Sequence, residues 1–197
     1  MQENQAPDAV LRAFVAVAIS DEIRRGIARL QDDLKKVGAK VGWIAPANIH
    51  LTLVFLGNIF QAKVGELGSA LDAIAREFEP FRMEVAGAGW FGSAASPRVL
   101  WVGIAEPNQP LAALQGRVGE AVQSLDIPVE DRAFKPHLTL GRVRSKHRAV
   151  ELTSVLGSAK NTAYGSVEIR RLLLMQSHLE HQGVRYSILH ESALKGA

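Results

Sequence analysis

Two copies of one four-residue pattern have side chains that could perform acid–base chemistry. The copies are His50-Leu51-Thr52-Leu53 and His137-Leu138-Thr139-Leu140. An unperturbed imidazole titrates near ~6.5, so at neutral pH one histidine can accept a proton while another donates one. Cleavage of a phosphodiester needs both roles, because the attacking oxygen loses a proton and the leaving oxygen gains one. The repeated pattern therefore predicts a phosphoesterase site with two histidines.

Strand geometry explains why threonine and leucine accompany each histidine. Side chains alternate between the two faces of a strand, so His50 and Thr52 share one face while the leucines share the other. Threonine hydroxyls can donate hydrogen bonds to non-bridging phosphate oxygens, where charge develops during cleavage. A lone histidine in a strand is usually structural, and the repetition of the whole pattern favours a catalytic pair. Spacing alone does not say which histidine is the acid.

Zinc catalysis is the main chemical alternative. Catalytic zinc usually has three protein ligands, often including carboxylates or cysteines. The motifs lack His-x-His and His-Glu-x-x-His spacing, they contain no Asp or Glu, and the chain has no cysteine. We therefore expect neither a metal nor another cofactor at this site.

The composition is that of an ordinary globular protein. The chain has 197 residues, of which 47% are hydrophobic and 22% charged, and this fits one large domain or two small packed lobes. The net charge of +3 is only a weak indication of an anionic partner. The absence of cysteine excludes disulfides and is natural for a cytoplasmic protein. No apolar run approaches the ~20 residues of a membrane span, and residues 13–19 are predicted as a buried strand rather than a signal peptide.

Hydrophobic spacing predicts strands mixed with amphipathic helices. A first helix is expected from the N-cap Ser20 to Lys36, ahead of Gly38, and the other helices over residues 64–78 and 111–125, with a short helix or loop before Gly157. No glycine-rich phosphate loop follows a strand, so an α+β fold with antiparallel sheets is favoured over a Rossmann fold. Strands are predicted over residues 14–19, 49–56, 82–88, 98–104, 137–143, 166–177 and 184–191, with a loop over 87–97 and a loose tail over 1–8.

Sequence around the motifs supports a more specific interpretation. The informative stretches are, in chain order, RAFVA (12–16), NIHLTLVFLG (48–57), PRVLW (97–101), FKPHLTLGR (134–142), LMQS (174–177) and GVRY (183–186). On these stretches the chain resembles the two-histidine phosphoesterase superfamily, and most closely the bacterial and archaeal RNA 2′,3′-cyclic phosphodiesterases, also called 2′-5′ RNA ligases. The resemblance covers almost the whole chain.

The resemblance implies a fold and a reaction. The fold is a single bilobal domain over residues 1–197, with two pseudo-symmetric lobes whose antiparallel sheets flank a central cleft and whose helices cover the outer faces. The reaction is hydrolysis of a 2′,3′-cyclic phosphate to a 2′-phosphate. His137 would be the general base for water, His50 would protonate the departing 3′-oxygen, and Thr52 and Thr139 would hold the phosphate. Run backwards, the site would join RNA ends without ATP.

Two further residues are candidates for substrate binding. Arg142 matches a position where the resembled family often places a phosphate-contacting arginine. Strict alternation from His137 would put Arg142 on the back of the strand, unless Gly141 forms a bulge that turns it round; otherwise Arg142 is a solvated residue at a strand end. Phe14 could stack on a base, as aromatic residues do with single-stranded RNA, although packing in the core is the favoured role.

Other functions remain as alternatives. A related enzyme could act on another small cyclic nucleotide, on ADP-ribose 1″,2″-cyclic phosphate or on an RNA 3′ end, and a non-catalytic module could merely bind nucleotides. The intact histidine and threonine pairs favour an enzyme. The expected partner is RNA or a nucleotide with a 2′,3′-cyclic phosphate. We expect a cytoplasmic monomer with no membrane segment and no obligatory protein partner.

Overall fold

The computed structural model describes residues 9–105, 108–129, 133–180 and 183–197; the predicted N-terminal tail lies outside these ranges. Four α-helices are described, namely α1 (Asp21–Lys36), α2 (Lys63–Ala75), α3 (Gln109–Ser124) and α4 (Ala149–Ser158), together with a short 3-10 helix at Pro46–Asn48. The strands are β1 (Val10–Val17), β2 (Val41–Trp43), β3 (Leu51–Phe60), β4 (Phe81–Ser93), β5 (Ser96–Ile104), β6 (His137–Val143), β7 (Ala163–Ile169), β8 (Arg171–Glu180) and β9 (Gly183–Ala193). The predicted α+β class is confirmed. None of the described helices is long and apolar enough to cross a membrane.

All nine described strands form one sheet in which neighbours run antiparallel. The order is β7-β4-β5-β6-β3-β1-β8-β9, and β2 pairs with β6 beside this path. The two sheets that were expected are therefore two continuous halves of a single sheet. The halves meet where β3 and β6 share a single register pair, Leu51 with Leu138. Both leucines are fully buried.

The two halves of the sheet repeat one arrangement. In the first half, β1 leads through α1 to β3; in the second, β5 leads through α3 to β6. β3 and β6 lie side by side at the centre of the sheet, with β1 and β5 as their outer neighbours. Each motif therefore belongs to the central strand of its own half, and the strand order brings the two motifs together.

Helix α1 shows how local sequence sets these elements. The Ser20 hydroxyl accepts a hydrogen bond from the Ile23 N–H at 3.3 Å, and acidic residues occupy the first turn, as the macrodipole favours. Gly38 follows with φ of +77°, a conformation that glycine adopts without steric cost. The predicted helix is confirmed at both ends. Its apolar face packs into one hydrophobic core shared by both halves of the sheet.

Several predicted boundaries were wrong. The loop expected over residues 87–97 is mostly strand, because β4 runs to Ser93 and β5 starts at Ser96. Its glycines have close neighbours: a Cβ on Gly92 would lie 2.5 Å from the Ser96 carbonyl oxygen. The strand expected over residues 166–177 is two strands, β7 and β8, which belong to opposite halves of the sheet.

Smaller differences concern strand and helix ends. β1 begins at Val10, four residues earlier than predicted, and β3 extends to Phe60. Helix α2 ends at Ala75, before Pro80 is reached. The segment before Gly157 is a helix, α4, rather than a loop. The three-residue strand β2 is too short to leave a periodic signal and was not predicted.

Candidate active site

The four motif side chains lie on one face of the sheet, which we call the front face. His50 immediately precedes β3, and His137 is the first residue of β6. The leucines between them point to the back face and are at most 4% exposed: Leu51, Leu53, Leu138 and Leu140. Because β3 and β6 run antiparallel through the Leu51–Leu138 pair, His50 is level with Thr139, and Thr52 with His137. The alternation predicted from sequence is confirmed.

Both imidazoles are held in the same way. The Nδ1 atom of His50 lies 2.8 Å from the Asn48 carbonyl oxygen, and that of His137 lies 2.7 Å from the Lys135 carbonyl oxygen. A carbonyl only accepts, so each Nδ1 carries the hydrogen and donates it. Within the described part of the chain neither Nε2 atom has a hydrogen-bond partner. In the neutral form each Nε2 is therefore free to accept a proton.

Aromatic rings surround the two histidines differently. The His50 ring stacks on Phe14, with centroids 4.7 Å apart, and meets Tyr186 edge-on at 5.0 Å. The His137 ring meets Phe91 edge-on at 4.9 Å. Tyr186 and Phe91 had no role in the predicted site, since nothing in the sequence pattern relates them to the motifs.

Burial is the main electrostatic influence on both histidines. It lowers the pKa of His50 and of His137, because a charged imidazole loses solvation. The carbonyl acceptors oppose this shift, since they stabilise the protonated ring. A nearby cation adds to the lowering of each pKa, Arg24 for His50 and Arg142 for His137.

These shifts predict how the two rings titrate. We expect NMR titration of the free protein to give both imidazoles pKa values below the ordinary ~6.5. Replacing Arg142 with methionine removes a positive charge, so the pKa of His137 should rise while that of His50, on which Arg142 has no resolved influence, stays where it is. Titration of either wild-type ring at or above 6.5 would contradict this description of the site.

A bulge interrupts each motif strand at the same place. Thr139 pairs with Trp101 and Gly141 with Leu100, so Leu140 is an extra residue in β6. Similarly, Thr52 pairs with Ala16 and Val54 with Val15, so Leu53 is extra in β3. An extra residue reverses the alternation that follows it. Directly after each bulge, the side chains therefore point to the face opposite to the one that simple alternation predicts.

The bulge in β6 decides the orientation of Arg142. Arg142 pairs with Val99, which lies two residues from Trp101 and shares its face, so Arg142 is on the front face. Burial lowers the pKa of His137 and raises that of Tyr186, and the charge of Arg142 adds to the first shift and opposes the second, although the two residues lie on opposite halves of the sheet. Strict alternation placed this residue on the back face, whereas the bulge considered at Gly141 accounts for the observed placement.

A buried amide stabilises this bulge. Gln31 of α1 is 1% exposed, and its Nε2 donates to the carbonyl oxygens of Leu140 at 2.9 Å and Ile44 at 2.8 Å. The Leu140 carbonyl also accepts from the Ile44 N–H at 2.9 Å. The carbonyl of the extra residue thus has both a backbone and a side-chain donor, which together hold the bulge in place. The only feature of the sequence that indicated this contact is the polar Gln31 on the otherwise apolar inner face of α1.

Phe14 has a packing role. Its side chain is 4% exposed, and one face of the ring lies against His50. A base-stacking surface must offer an open face, which Phe14 does not. Phe14 therefore packs beneath the imidazole rather than in the contiguous hydrophobic core of the described residues. No group of three or more His, Asp or Glu side chains within residues 9–105, 108–129, 133–180 and 183–197 is placed to hold a metal ion.

The internal repetition has a counterpart among known families. A family described as "LigT like Phosphoesterase" matches residues 17–101 and again residues 102–186, with one motif in each match. The chain belongs to this family. The LigT-like assignment accounts for the paired motifs, for the repeated strand–helix–strand units and for the central position of β3 and β6.

Individual LigT-like relatives agree over nearly their full lengths. The chain is 34% identical to an RNA 2′,3′-cyclic phosphodiesterase of Archaeoglobus fulgidus, covering 91% of this chain and 98% of the relative. It is 33% identical to one from Aquifex aeolicus, over 95% and 99%. A solved structure of Escherichia coli LigT complexed with NADP+ is similar with a TM-score of 0.75 and 26% identity, over 93% and 97% of the two chains. Another holds ATP, with a TM-score of 0.70 and 27% identity over 94% and 99%.

Proposed function

We propose that this protein hydrolyses RNA 2′,3′-cyclic phosphate ends to 2′-phosphomonoesters by metal-free acid–base catalysis, and that the same site joins RNA ends through 2′-5′ bonds when a 5′-hydroxyl attacks in place of water. The observation that carries the proposal is the pair of histidines whose Nδ1 atoms are fixed by carbonyls and whose Nε2 atoms have no hydrogen-bond partner among the described residues. The relatives from Archaeoglobus fulgidus and Aquifex aeolicus are RNA 2′,3′-cyclic phosphodiesterases, which supports this substrate class.

Each histidine has one task in the proposed reaction. A water molecule attacks phosphorus and gives its proton to Nε2 of His137. The bond between phosphorus and the 3′-oxygen breaks, and that oxygen takes a proton from Nε2 of His50. The product carries a 2′-phosphate and a 3′-hydroxyl. The assignment of base and acid follows the family resemblance. Burial lowers the pKa of His137 and favours its role as base; burial also lowers the pKa of His50, and the Asn48 carbonyl opposes this by stabilising the protonated ring that the acid requires.

Charge on the phosphate needs its own partners. The hydroxyls of Thr52 and Thr139 share the front face with the histidines and can donate to the non-bridging oxygens. Arg142 is on the same face and brings a permanent positive charge close to His137. These groups stabilise the charge that grows on the phosphate in the transition state.

We also propose that the protein acts as a monomer, since one chain supplies both histidines.

The proposal is tested with purified protein in excess EDTA. The substrates are an oligonucleotide with a 2′,3′-cyclic phosphate end, free cyclic mononucleotides and a linear oligonucleotide as control. We expect turnover of the cyclic ends to a 2′-phosphate that EDTA does not diminish. Loss of activity in EDTA would refute the metal-free mechanism. Binding of nucleotides without turnover would instead identify a non-catalytic module.

A further inference from the structure

The two sides of the cleft differ beside the threonines. Thr139 pairs with Trp101 of β5, whereas Thr52 pairs with Ala16 of β1. Directly opposed side chains on one face of a sheet lie about 4.5–5.5 Å apart at Cβ. A large aromatic ring therefore adjoins the threonine of one motif, and a single methyl group adjoins that of the other. This asymmetry implies that the two sides receive different parts of a substrate.

The indole of Trp101 packs against the backbone at two glycines. A Cβ atom on Gly89, its partner in β4, would lie 2.6 Å from the indole ring, and one on Gly103 would lie 3.3 Å from it. Either contact would force the ring to move. Phe91 packs against the indole at 5.6 Å with a 39° tilt and meets His137 edge-on at 4.9 Å. The aromatic surface made by Phe91 and Trp101 thus extends to the imidazole.

This surface is not part of the hydrophobic core. Phe91 and Trp101 are only half-buried, and neither belongs to the core cluster or to the hydrophobic side chains packed against it. The indole Nε1 is buried and has no hydrogen-bond partner among the described residues. Phe14, on the other side of the cleft, is in contrast 4% exposed. The half-buried Tyr186 also meets His50, edge-on at 5.0 Å. The His137 side differs in having two adjoining half-buried rings, one of which lies beside the threonine of its motif.

The proposed reaction indicates which part of the substrate would bind on the His137 side. In the proposed function, on which this inference rests, the oxygen that attacks phosphorus is next to His137. In hydrolysis this oxygen belongs to water and brings no base. In the joining reaction it belongs to a 5′-hydroxyl, which brings a nucleoside. We propose that the Phe91–Trp101 surface stacks the base of this second nucleoside, and so selects RNA with a 5′-hydroxyl over water.

The joining step balances without a further reactant. The 5′-oxygen forms a bond to phosphorus and gives its proton to His137. The bond between phosphorus and the 3′-oxygen breaks, and His50 supplies the proton that makes the 3′-hydroxyl. The product is a 2′-5′ phosphodiester. Cleavage of a 2′-5′ dinucleotide retraces these steps and releases the second nucleoside, so cleavage reports on the same binding surface.

The decisive measurement compares two substrates in one variant. Phe91→Leu keeps an apolar side chain but removes the flat ring. We expect kcat/KM for 2′-5′-linked ApA, divided by kcat/KM for adenosine 2′,3′-cyclic phosphate, to fall about 5- to 150-fold, the range for loss of one stacked base, mainly through KM. Any common effect through His137 cancels in this ratio. Phe91→Tyr should restore the wild-type ratio, and Phe60→Leu, at an exposed ring on β3, should leave it unchanged.

A binding measurement separates this inference from the proposed function. In a His50→Ala background, 2′-5′-linked ApA should quench tryptophan fluorescence, and Trp101→Phe should abolish the quenching. Gly89→Ala, which displaces the indole, should weaken the binding. An unchanged ratio in Phe91→Leu together with unaltered quenching in Trp101→Phe overturns the second-nucleoside surface. A wild-type protein that binds the dinucleotide in this way but hydrolyses no cyclic phosphate refutes the proposed function and leaves the surface standing.

Discussion

His50→Ala and His137→Ala are each expected to lower kcat for a 2′,3′-cyclic phosphate end by at least about 100-fold. General acid–base catalysis typically contributes 10²–10⁴-fold to a rate, and each variant removes one of the two imidazoles whose Nδ1 atoms are held by backbone carbonyls. Since the acid and the base act in one reaction, the double variant should be little slower than either single one. Steady-state kinetics with the cyclic-phosphate oligonucleotide measures all three.

The control for this experiment is a histidine outside the site. His147 is exposed in the segment that follows β6. His147→Ala should therefore retain activity within about twofold of the wild type. Each catalytic variant should also keep a cooperative thermal transition, which shows that activity and not folding was lost. Full activity in His50→Ala or in His137→Ala would refute the assigned pair.

Leu138→Ala is expected to lower the free energy of unfolding by about 2–5 kcal/mol. Leu138 is fully buried, and it pairs with Leu51 at the junction between the two halves of the sheet. Truncation removes apolar contacts and leaves a cavity at the junction of the two central strands, which position the motif histidines. Denaturant unfolding gives the free energy directly.

Two controls test whether this cost comes from burial. Leu138→Met conserves volume and should cost less than about 1.5 kcal/mol. Leu179→Ala makes the same truncation at a side chain that is 76% exposed and should change stability by less than about 0.5 kcal/mol. If Leu138→Ala proved as harmless as Leu179→Ala, the described back-face packing would be wrong.

The motifs could be predicted because their information is local. Alternation within four residues is enough to separate the His-Thr face from the leucines, and burial of all four leucines confirms it. The N-cap of α1 was predictable for the same reason, since Ser20 bonds to a residue only three positions away. Such features depend on the chain's immediate neighbours and not on the rest of the fold.

The remaining features depend on contacts that are distant in sequence. The bulge at Leu140 is stabilised by Gln31, 109 residues away, and it determines the face on which Arg142 lies. Gly89 lies in a strand, and the Trp101 indole of β5 occupies the space that a side chain at this position would need. The composition of the segment around Gly89 had indicated a loop. The break between β7 and β8 follows from their pairing with strands in opposite halves of the sheet. Single-sequence periodicity contains none of this information.

The strand order also sets a sequence of events during synthesis. Strands β4, β5, β6 and β7 are contiguous along the chain and form one half of the sheet, so they can pair before the ribosome has made β8 and β9. The second edge of β1 cannot pair until β8 has been made, and the Tyr186 ring can contact His50 only after β9 has been synthesised. β1 and β3 are made earliest and can also pair early, but the surroundings of His50 are complete only after those of His137. The partly made enzyme has no complete site with which to act on RNA until its last hairpin docks.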